Sequence, residues 1–455
     1  MSRLLLLLLA IPLVLAAQSA SSTIFGTVTD STGSAVVRAD LTATSEATGV
    51  AEKVSSNSDG YYIFPDLRPA AYRITCTAAG FQTTQRTGLV LEVGRSARVD
   101  LTLQVGDLKQ VVEVQGSVST VDTLTSTVKD VVDSNRMDDL PLNGRNALQL
   151  QGILPGAIQM GSGSAASGIA LNTNMVFSVN GTRPSQSAYI LDGGLDMDMY
   201  NNVPAAFPNP DALQEFSILQ NSYSAVSGRD AGAVVSMVTK SGTNRLHGVL
   251  YDFLRNYDMD ARNFFSPIVS PLHRNQFGGN AGGPVLLPHY NGHDRTFFFF
   301  AYEATRQELG STSSSTVVPT ALERAGNFSQ TTVHGQLISV APPNTVTAQN
   351  PGGVPYPNNT IPTSQLDPVA LNFTKAFLPL ANSSGNIYTY NLSLPTNDNQ
   401  VVAKIDHSIS NANTRTVRYF WDDYFTVLNS TLPAFNGTTH CVTHHLAIND
   451  TQIFT

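Results

Sequence analysis

Alternation of apolar and polar side chains runs through this chain in two separate stretches. Over residues 23 to about 104, Ile24, Gly26 and Val28 alternate with Phe25, Thr27 and Thr29. Tyr72, Ile74 and Cys76 alternate with Arg73 and Thr75, and Val99, Leu101 and Leu103 with Arg98, Asp100 and Thr102. A period of two sends one set of side chains to a core and the other to water. Turn signals recur every ten residues or so, as in Asn57-Ser58-Asp59-Gly60 before Tyr61, and the pattern predicts a β-sandwich of about seven short strands. Beyond residue 245 the pattern returns, predicting strands over 246–257, 275–285, 296–307, 399–409, 414–424 and from 444 onward. There Val401, Ala403 and Ile405 oppose Val402, Lys404 and Asp406, while Thr416, Arg418 and Phe420 oppose Val417, Tyr419 and Trp421. That phase suits a barrel wall whose lipid-facing and lumen-facing residues alternate. A secreted β-sandwich would use the same aromatics, so the pattern alone leaves both open. The Pro- and Asn-rich stretch 308–394 shows no alternation and is expected to be one long loop.

Between the two stretches lies a linker, 105–127, with a β-prone run that includes Val111, Val112, Glu113 and Val114. Such a run can add to a sheet edge on another protein through main-chain hydrogen bonds, or it can be the last strand of the sandwich or an interdomain strand. At the N-terminus, Arg3 precedes an apolar stretch over 4–17 and small residues over 18–22. This order predicts a secretory signal peptide over 1–20, because the apolar run falls short of the ~20 residues a spanning helix needs. No other stretch is long and apolar enough, so a membrane passage would have to use strands.

Composition narrows the function. Only 13% of the 455 residues are charged, 26 basic against 34 acidic, for a net charge of −8. Typical soluble proteins carry about 25%; here Ser, Thr, Asn, Gln and Gly take that place. A nucleic-acid partner is excluded, since it would need a basic stripe to meet phosphate. No His has Glu three residues on, and there is no H-E-x-x-H, G-x-S-x-G or P-loop pattern, so no catalytic residue and no cofactor are assigned. Cys76 and Cys441 read as two separate thiols. Asp192, Asp196 and Asp198 lack the EF-hand order and are read as a turn with acids facing solvent. His440 and His444 would share one strand face and His445 the other, so with Cys441 they do not converge on a metal.

Particular motifs add a resemblance. Gly26-Thr27-Val28-Thr29-Asp30, Gly33, Asp59-Gly60-Tyr61-Tyr62, Leu67, Tyr72 and Gly80-Phe81 resemble the carboxypeptidase regulatory-like domain, a transthyretin-like sandwich. An ordered series follows: Leu140-Pro141-Leu142-Asn143-Gly144-Arg145-Asn146, Leu154-Pro155-Gly156, Val179-Asn180-Gly181-Thr182-Arg183, Tyr189-Ile190-Leu191-Asp192-Gly193, Pro210-Asp211-Ala212-Leu213-Gln214-Glu215-Phe216 and Gly228-Arg229-Asp230-Ala231-Gly232. Together with Arg274-Asn275-Gln276-Phe277-Gly278-Gly279, Thr296-Phe297-Phe298-Phe299-Phe300 and Lys404-Ile405-Asp406-His407, it resembles the Oar-like branch of TonB-dependent outer-membrane receptors.

The resemblance implies a mainly β chain: a transthyretin/Ig-like sandwich at 23–104, a small α/β plug domain at 128–244, and an incomplete antiparallel transmembrane β-barrel at 245–455. It implies that Asn143, Gly144, Arg145, Asn180, Gly181, Arg183, Asp192 and Gly193 are plug-motif residues. Val111, Val112, Glu113 and Val114 would then contact a TonB-type energy-coupling protein of the inner membrane. Outer-membrane lipid and an unidentified extracellular ligand complete the implied partners; a secreted or surface-attached β-rich module binding carbohydrate or protein is the alternative. Residues 246–455 have room for about six strands of a wall that has 22 in the family. The expectation is therefore a C-terminally truncated product or a partial sequence.

Overall fold

The computed structural model describes residues 22–453 apart from 107–110, 116–126, 141, 161–175, 199, 201, 224–229, 263, 265–268 and 270. The expected signal peptide, Pro141, Gly228, Arg229 and most of the linker lie outside the described residues.

The first alternating stretch folds as a two-sheet sandwich. Its strands are β1 (Ser22–Asp30), β2 (Asp40–Ser45), β3 (Ala51–Ser55), β4 (Tyr61–Leu67), β5 (Ala70–Thr77), β6 (Thr83–Leu91), β7 (Ser96–Arg98), β8 (Leu101–Leu103) and β9 (Val111–Gln115). One sheet sets β4, β7 and β8 against β1; the other runs β3-β2-β5-β6-β9. The inward phase is the one the pattern predicts: Ile24, Val28, Leu41, Phe64, Ile74 and Leu103 share one buried core. Gly26 lies against the link between β7 and β8, and a Cβ there would overlap the Val99 carbonyl oxygen. The same oxygen accepts the Tyr62 hydroxyl at 2.5 Å. Cys76 is buried in this core and Cys441 lies far off in the wall; both are free thiols.

The middle of the chain forms a small mixed domain. It contains β10 (Val128–Asp133), α1 (Ser134–Asp139), β11 (Ala188–Leu191), β12 (Gly194–Leu195), β13 (Leu213–Asn221) and β14 (Val234–Thr239). Its sheet runs β10-β13-β14-β11-β12, with β11 and β14 parallel. Helix α1 starts where Asp133 caps the Arg136 N–H at 2.8 Å, the usual remedy for an unpaired first-turn donor. Asp192 and Gly193, with φ of 47° and 82°, make the tight turn of the β11–β12 hairpin, the positive-φ pair that such turns select.

Six long strands follow as one antiparallel sheet in chain order: β15 (His247–Asn256), β16 (Leu272–Pro284), β17 (Thr296–Val317), β18 (Ile387–Ser410), β19 (Asn413–Leu428) and β20 (Gly437–Gln452). The sheet is open, with β15 and β20 as its edges. One face holds the middle domain: Phe299, Ala301, Val402 and Phe420 share a continuous core with Leu191, Phe216 and Met237. The other face presents Phe300, Ile405 and Val417, each more than two-fifths exposed. Strands β17 and β18 are 22 and 24 residues long, about double the 9–11 needed to cross a bilayer. The expected loop at 308–394 is therefore shorter, 318–386, because Leu309–Val317 pair with Ile387–Leu394. The 310–316 side of that pairing is Ser- and Thr-rich and shows no alternation, whereas Tyr388, Tyr390, Leu392 and Leu394 alternate with Thr389, Asn391 and Ser393 and carry the signal that the loop reading passes over.

Candidate functional site

The Asn143-Gly144-Arg145 turn carries the middle domain onto the wall. Gly144 and Arg145 have φ of 76° and 51°, which bends the chain so that the two flanking side chains diverge. Arg145 pairs with Asp211 of its own domain and with Glu303 of β17 at 3.3 Å. Its guanidinium also stacks 4.3 Å above the Phe253 ring and 4.7 Å above Tyr251, and the Tyr251 hydroxyl donates to Glu303 at 2.8 Å. Asn143 points the other way and accepts from Arg274 of β16 at 2.9 Å and from Arg255 of β15 at 3.0 Å.

Beside this turn a cavity of about 680 Å³ opens between the middle domain and the wall, within the size range of small-ligand sites. Asn143, Asn146, Gln149, Gln276, Gln307 and Asn429 give it amide walls; Thr305, Thr396 and Thr426 add hydroxyls, and Arg274 and Asp398 are its charged members. Gln276 donates to the Gly144 carbonyl at 3.1 Å, so the floor of the cavity is the turn itself. The cavity lies toward the 318–386 and 429–436 loops, on the side away from the sandwich.

Nearer the sandwich, a second anchor is fully buried. Asp192 accepts the Thr239 N–H at 3.0 Å and its hydroxyl at 2.7 Å. Arg418 of β19 donates to Asp192 at 3.0 Å and to the Leu191 carbonyl at 2.8 Å, and Lys404 of β18 stands 3.6 Å from the same carboxylate. The expectation that these acids face solvent is corrected here: Asp192 and Asp196 are 6% and 3% exposed. The turn is present, but the wall supplies two cations over it, and a single chain segment cannot reveal a partner two hundred residues away. His445 faces inward 3.4 Å from Asp196, while His440 and His444 face outward against Asp423 and Tyr419, the split that strand geometry predicts.

The remaining motif residues sit elsewhere in the middle domain. Asn180 and Gly181, both at positive φ, close a tight turn in which Asn180 donates to the Gln220 carbonyl at 3.1 Å. The Arg183 N–H is held by Gln186 at 3.0 Å in the next turn. Val111, Val112, Glu113 and Val114 lie in neither the cavity nor the anchors. Their backbone forms β9, paired in parallel with β6 from Thr83↔Val111 to Thr87↔Gln115. The wall residues Arg274, Gln276, Glu303, Lys404 and Arg418 are not marked as site residues by any sequence motif. The signal that could find them is their phase, polar groups on the inward set of strands that otherwise pack an apolar core.

The sandwich docks on both other units at this end. Arg68 pairs with Asp406 of β18 at 2.6 Å, and Asn244 donates to the Thr48 carbonyl at 2.6 Å. Val93 is gripped at both ends by the middle domain: its N–H donates to Glu215, and its carbonyl accepts from Lys129. Burial pushes the Glu215 carboxyl up to about 7, against the Val93 N–H and Lys129, which pull it down. A carboxyl raised on folding favours the docked state most below its free pKa of 4.5, and that advantage fades as pH rises through about 7. Docking is thus expected to weaken between pH 5 and 8, by up to about 3 kcal/mol. Hydrogen exchange of residues 91–95 measures it, and Glu215→Gln should flatten the pH dependence.

Comparison with known proteins agrees with this architecture. Residues 23–104 match the carboxypeptidase regulatory-like domain and residues 238–455 the outer membrane beta barrel domain. The chain is 29% identical to the TonB-dependent transporter Oar of Myxococcus xanthus over 307 residues, 64% of this chain and 28% of that protein. The chain therefore spans under a third of the length of that relative. Among solved structures, the outer membrane transporter YddB of Escherichia coli aligns at 12% identity with a TM-score of 0.40, over 71% of this chain and 37% of its own. The ferric enterobactin receptor PfeA of Pseudomonas aeruginosa aligns at 10% identity with a TM-score of 0.35, over 66% and 33%. Residues 23–104 thus match a carboxypeptidase regulatory-like domain and residues 238–455 an outer membrane β-barrel domain, and the chain, an outer-membrane protein, is similar to the TonB-dependent transporter Oar.

Proposed function

We propose that this chain is the ligand-capturing and gating part of an energy-coupled outer-membrane importer. The middle domain acts as the plug, a ligand enters the amide-lined cavity from outside, and a TonB-type protein of the inner membrane pulls on Val111, Val112, Glu113 and Val114 to shift the plug. One observation supports this reading: a folded domain packs on one face of the wall, with a cavity at one end and the strand β9, paired to the sandwich, beyond the other. A strand at a sheet edge is also the form in which a second protein can pair with main-chain groups. The outward Phe300, Ile405 and Val417 supply the lipid-facing side, as in barrels generally.

Val112→Pro tests the tether, because proline removes a main-chain donor and belongs in few ladders. Binding of the periplasmic domain of a TonB-type protein to the full chain is expected to fall about tenfold, with the amount of protein in the outer membrane unchanged. Undiminished binding would end the assignment of β9 as the coupling segment.

A further inference from the structure

We infer that Arg255 and Arg274 form an oxyanion-binding clasp whose loading loosens the Asn143 side of the plug's Asn143–Arg145 turn. The inference rests on the ligand-uptake reading above and names the chemistry of the group that is captured.

The arrangement is unusual in its charge. Two guanidinium groups converge on one neutral oxygen, Asn143 Oδ1, at 2.9 and 3.0 Å. An amide oxygen has two lone pairs, so both are occupied. Arg255 has a carboxylate of its own, Asp260, at 2.9 Å. Arg274 has neutral acceptors instead, Asn143 and Gln307, the latter at 2.6 Å; among the described residues it forms no ion pair. It is half-buried and lines the cavity. The other charged residue of the lining, Asp398, is hydrogen-bonded to Asp422, which also accepts from Gln400 at 3.0 Å.

A guanidinium fork binds carboxylate or phosphate far better than it binds an amide, because both partners are charged and two bonds form in parallel. An oxyanion entering this cavity therefore outcompetes Asn143 for Arg274, and Arg255 follows where the anion reaches it. Asn143 then loses both of its own donors from β15 and β16, while Gln276 still donates to the Gly144 carbonyl and Arg145 still pairs with Glu303. The turn keeps its internal bonds, since Asn143 and Gln149 exchange bonds at 3.1 and 2.6 Å, so its Asn143 side loosens without unravelling while Arg145 stays anchored. Binding at the outer face is converted into loosening of the plug by exchange of acceptors alone.

The test uses the full chain in detergent, titrated with citrate, with inorganic phosphate and with raffinose as an uncharged polyol. Affinity is read by calorimetry and plug mobility by hydrogen exchange over residues 142–149. Citrate or phosphate is expected to bind and to speed exchange there, while raffinose does neither; which anion acts separates a carboxylate-bearing ligand from a phosphate-bearing one. Arg274→Gln should weaken the anion about tenfold or more and abolish the change in exchange, and Arg274→Lys should restore part of the affinity. Should Arg274→Gln fail to fold, the contrast between citrate or phosphate and raffinose on the native chain decides. Failure of both anions to bind, equal binding of raffinose, slower exchange over 142–149, or full affinity in Arg274→Gln would each overturn the inference. None of these readings needs a TonB-type protein, so their failure leaves the tether test standing, and the reverse.

Discussion

Replacing Asp192 with Ala is expected to release the middle domain from the wall and to cost about 3–5 kcal/mol of stability. The carboxylate is 5% exposed and faces Arg418 and Lys404, whose side chains are 0% and 6% exposed. Removing it strands two cations in a space closed to solvent, and the Thr239 hydroxyl loses its acceptor as well. A buried pair gains little over an apolar packing, but breaking one leaves an uncompensated charge, and that asymmetry sets the sign. Denaturant unfolding of the purified chain, with exchange of residues 188–198 as the local probe, measures it. Asp192→Asn keeps the shape and one acceptor, and should lie between the two. A loss below about 1 kcal/mol in Asp192→Ala would show that the cations find water or other partners.

The second large effect is expected at Arg145. Arg145→Ala removes the counter-charge of Glu303, a wall carboxylate only 7% exposed, together with the guanidinium stacked on Tyr251 and Phe253. The expected cost is about 3–4 kcal/mol, the ion-pair loss plus a stacking contribution of about 0.5–1 kcal/mol. Arg145→Lys keeps the charge without the planar fork or the stack, and should recover less than half. Because Glu303 also accepts from Tyr251, Arg145→Ala with Glu303→Gln should be more stable than Arg145→Ala alone. That rescue is the discriminating measurement: a double variant no better than the single would mean that packing, not charge, holds the turn.

Much of the architecture is legible in the sequence because strands announce themselves by phase. Alternation puts Val402, Lys404 and Asp406 on one face and Val401, Ala403 and Ile405 on the other, and the wall shows that division. Where side-chain chemistry offers no phase, the sequence is silent. The Ser- and Thr-rich end of β17 has the composition of a loop, and the nine strands of the sandwich count as about seven because β7 and β8 are three residues each. The motifs of the middle domain mark Asn143, Arg145 and Asp192 without saying what they touch. Their wall partners, Arg274, Glu303, Lys404 and Arg418, come from strands 131 to 226 positions away along the chain. Only the assembled fold pairs them. The β9 run illustrates the reverse limit. Its β-character is plain, but pairing with β6 is a matter of backbone register that no residue type encodes.

The paired ends of β17 and β18 have a mechanical meaning. Beyond Leu309 and Leu394 neither strand has a third neighbour, since β16 stops at Leu272, opposite Leu309, and β19 pairs with β18 only as far as Thr396. The last eight or so residue pairs form a two-stranded ribbon roughly 25–30 Å tall, with 318–386 at its tip and a brace at its side, where Tyr390 donates to the Ser430 carbonyl and Phe373 and Phe377 pack on Phe435. A two-stranded ribbon is stiff along its length and soft across its thickness, and on its own only marginally stable. It behaves as a lever held at its base and stayed at its side by the 429–436 loop. Load on the tip bends the ribbon at the level of Leu309 and Leu394 before it strains the six-stranded sheet, and because both residues line the cavity, movement of the tip is passed to the cavity wall.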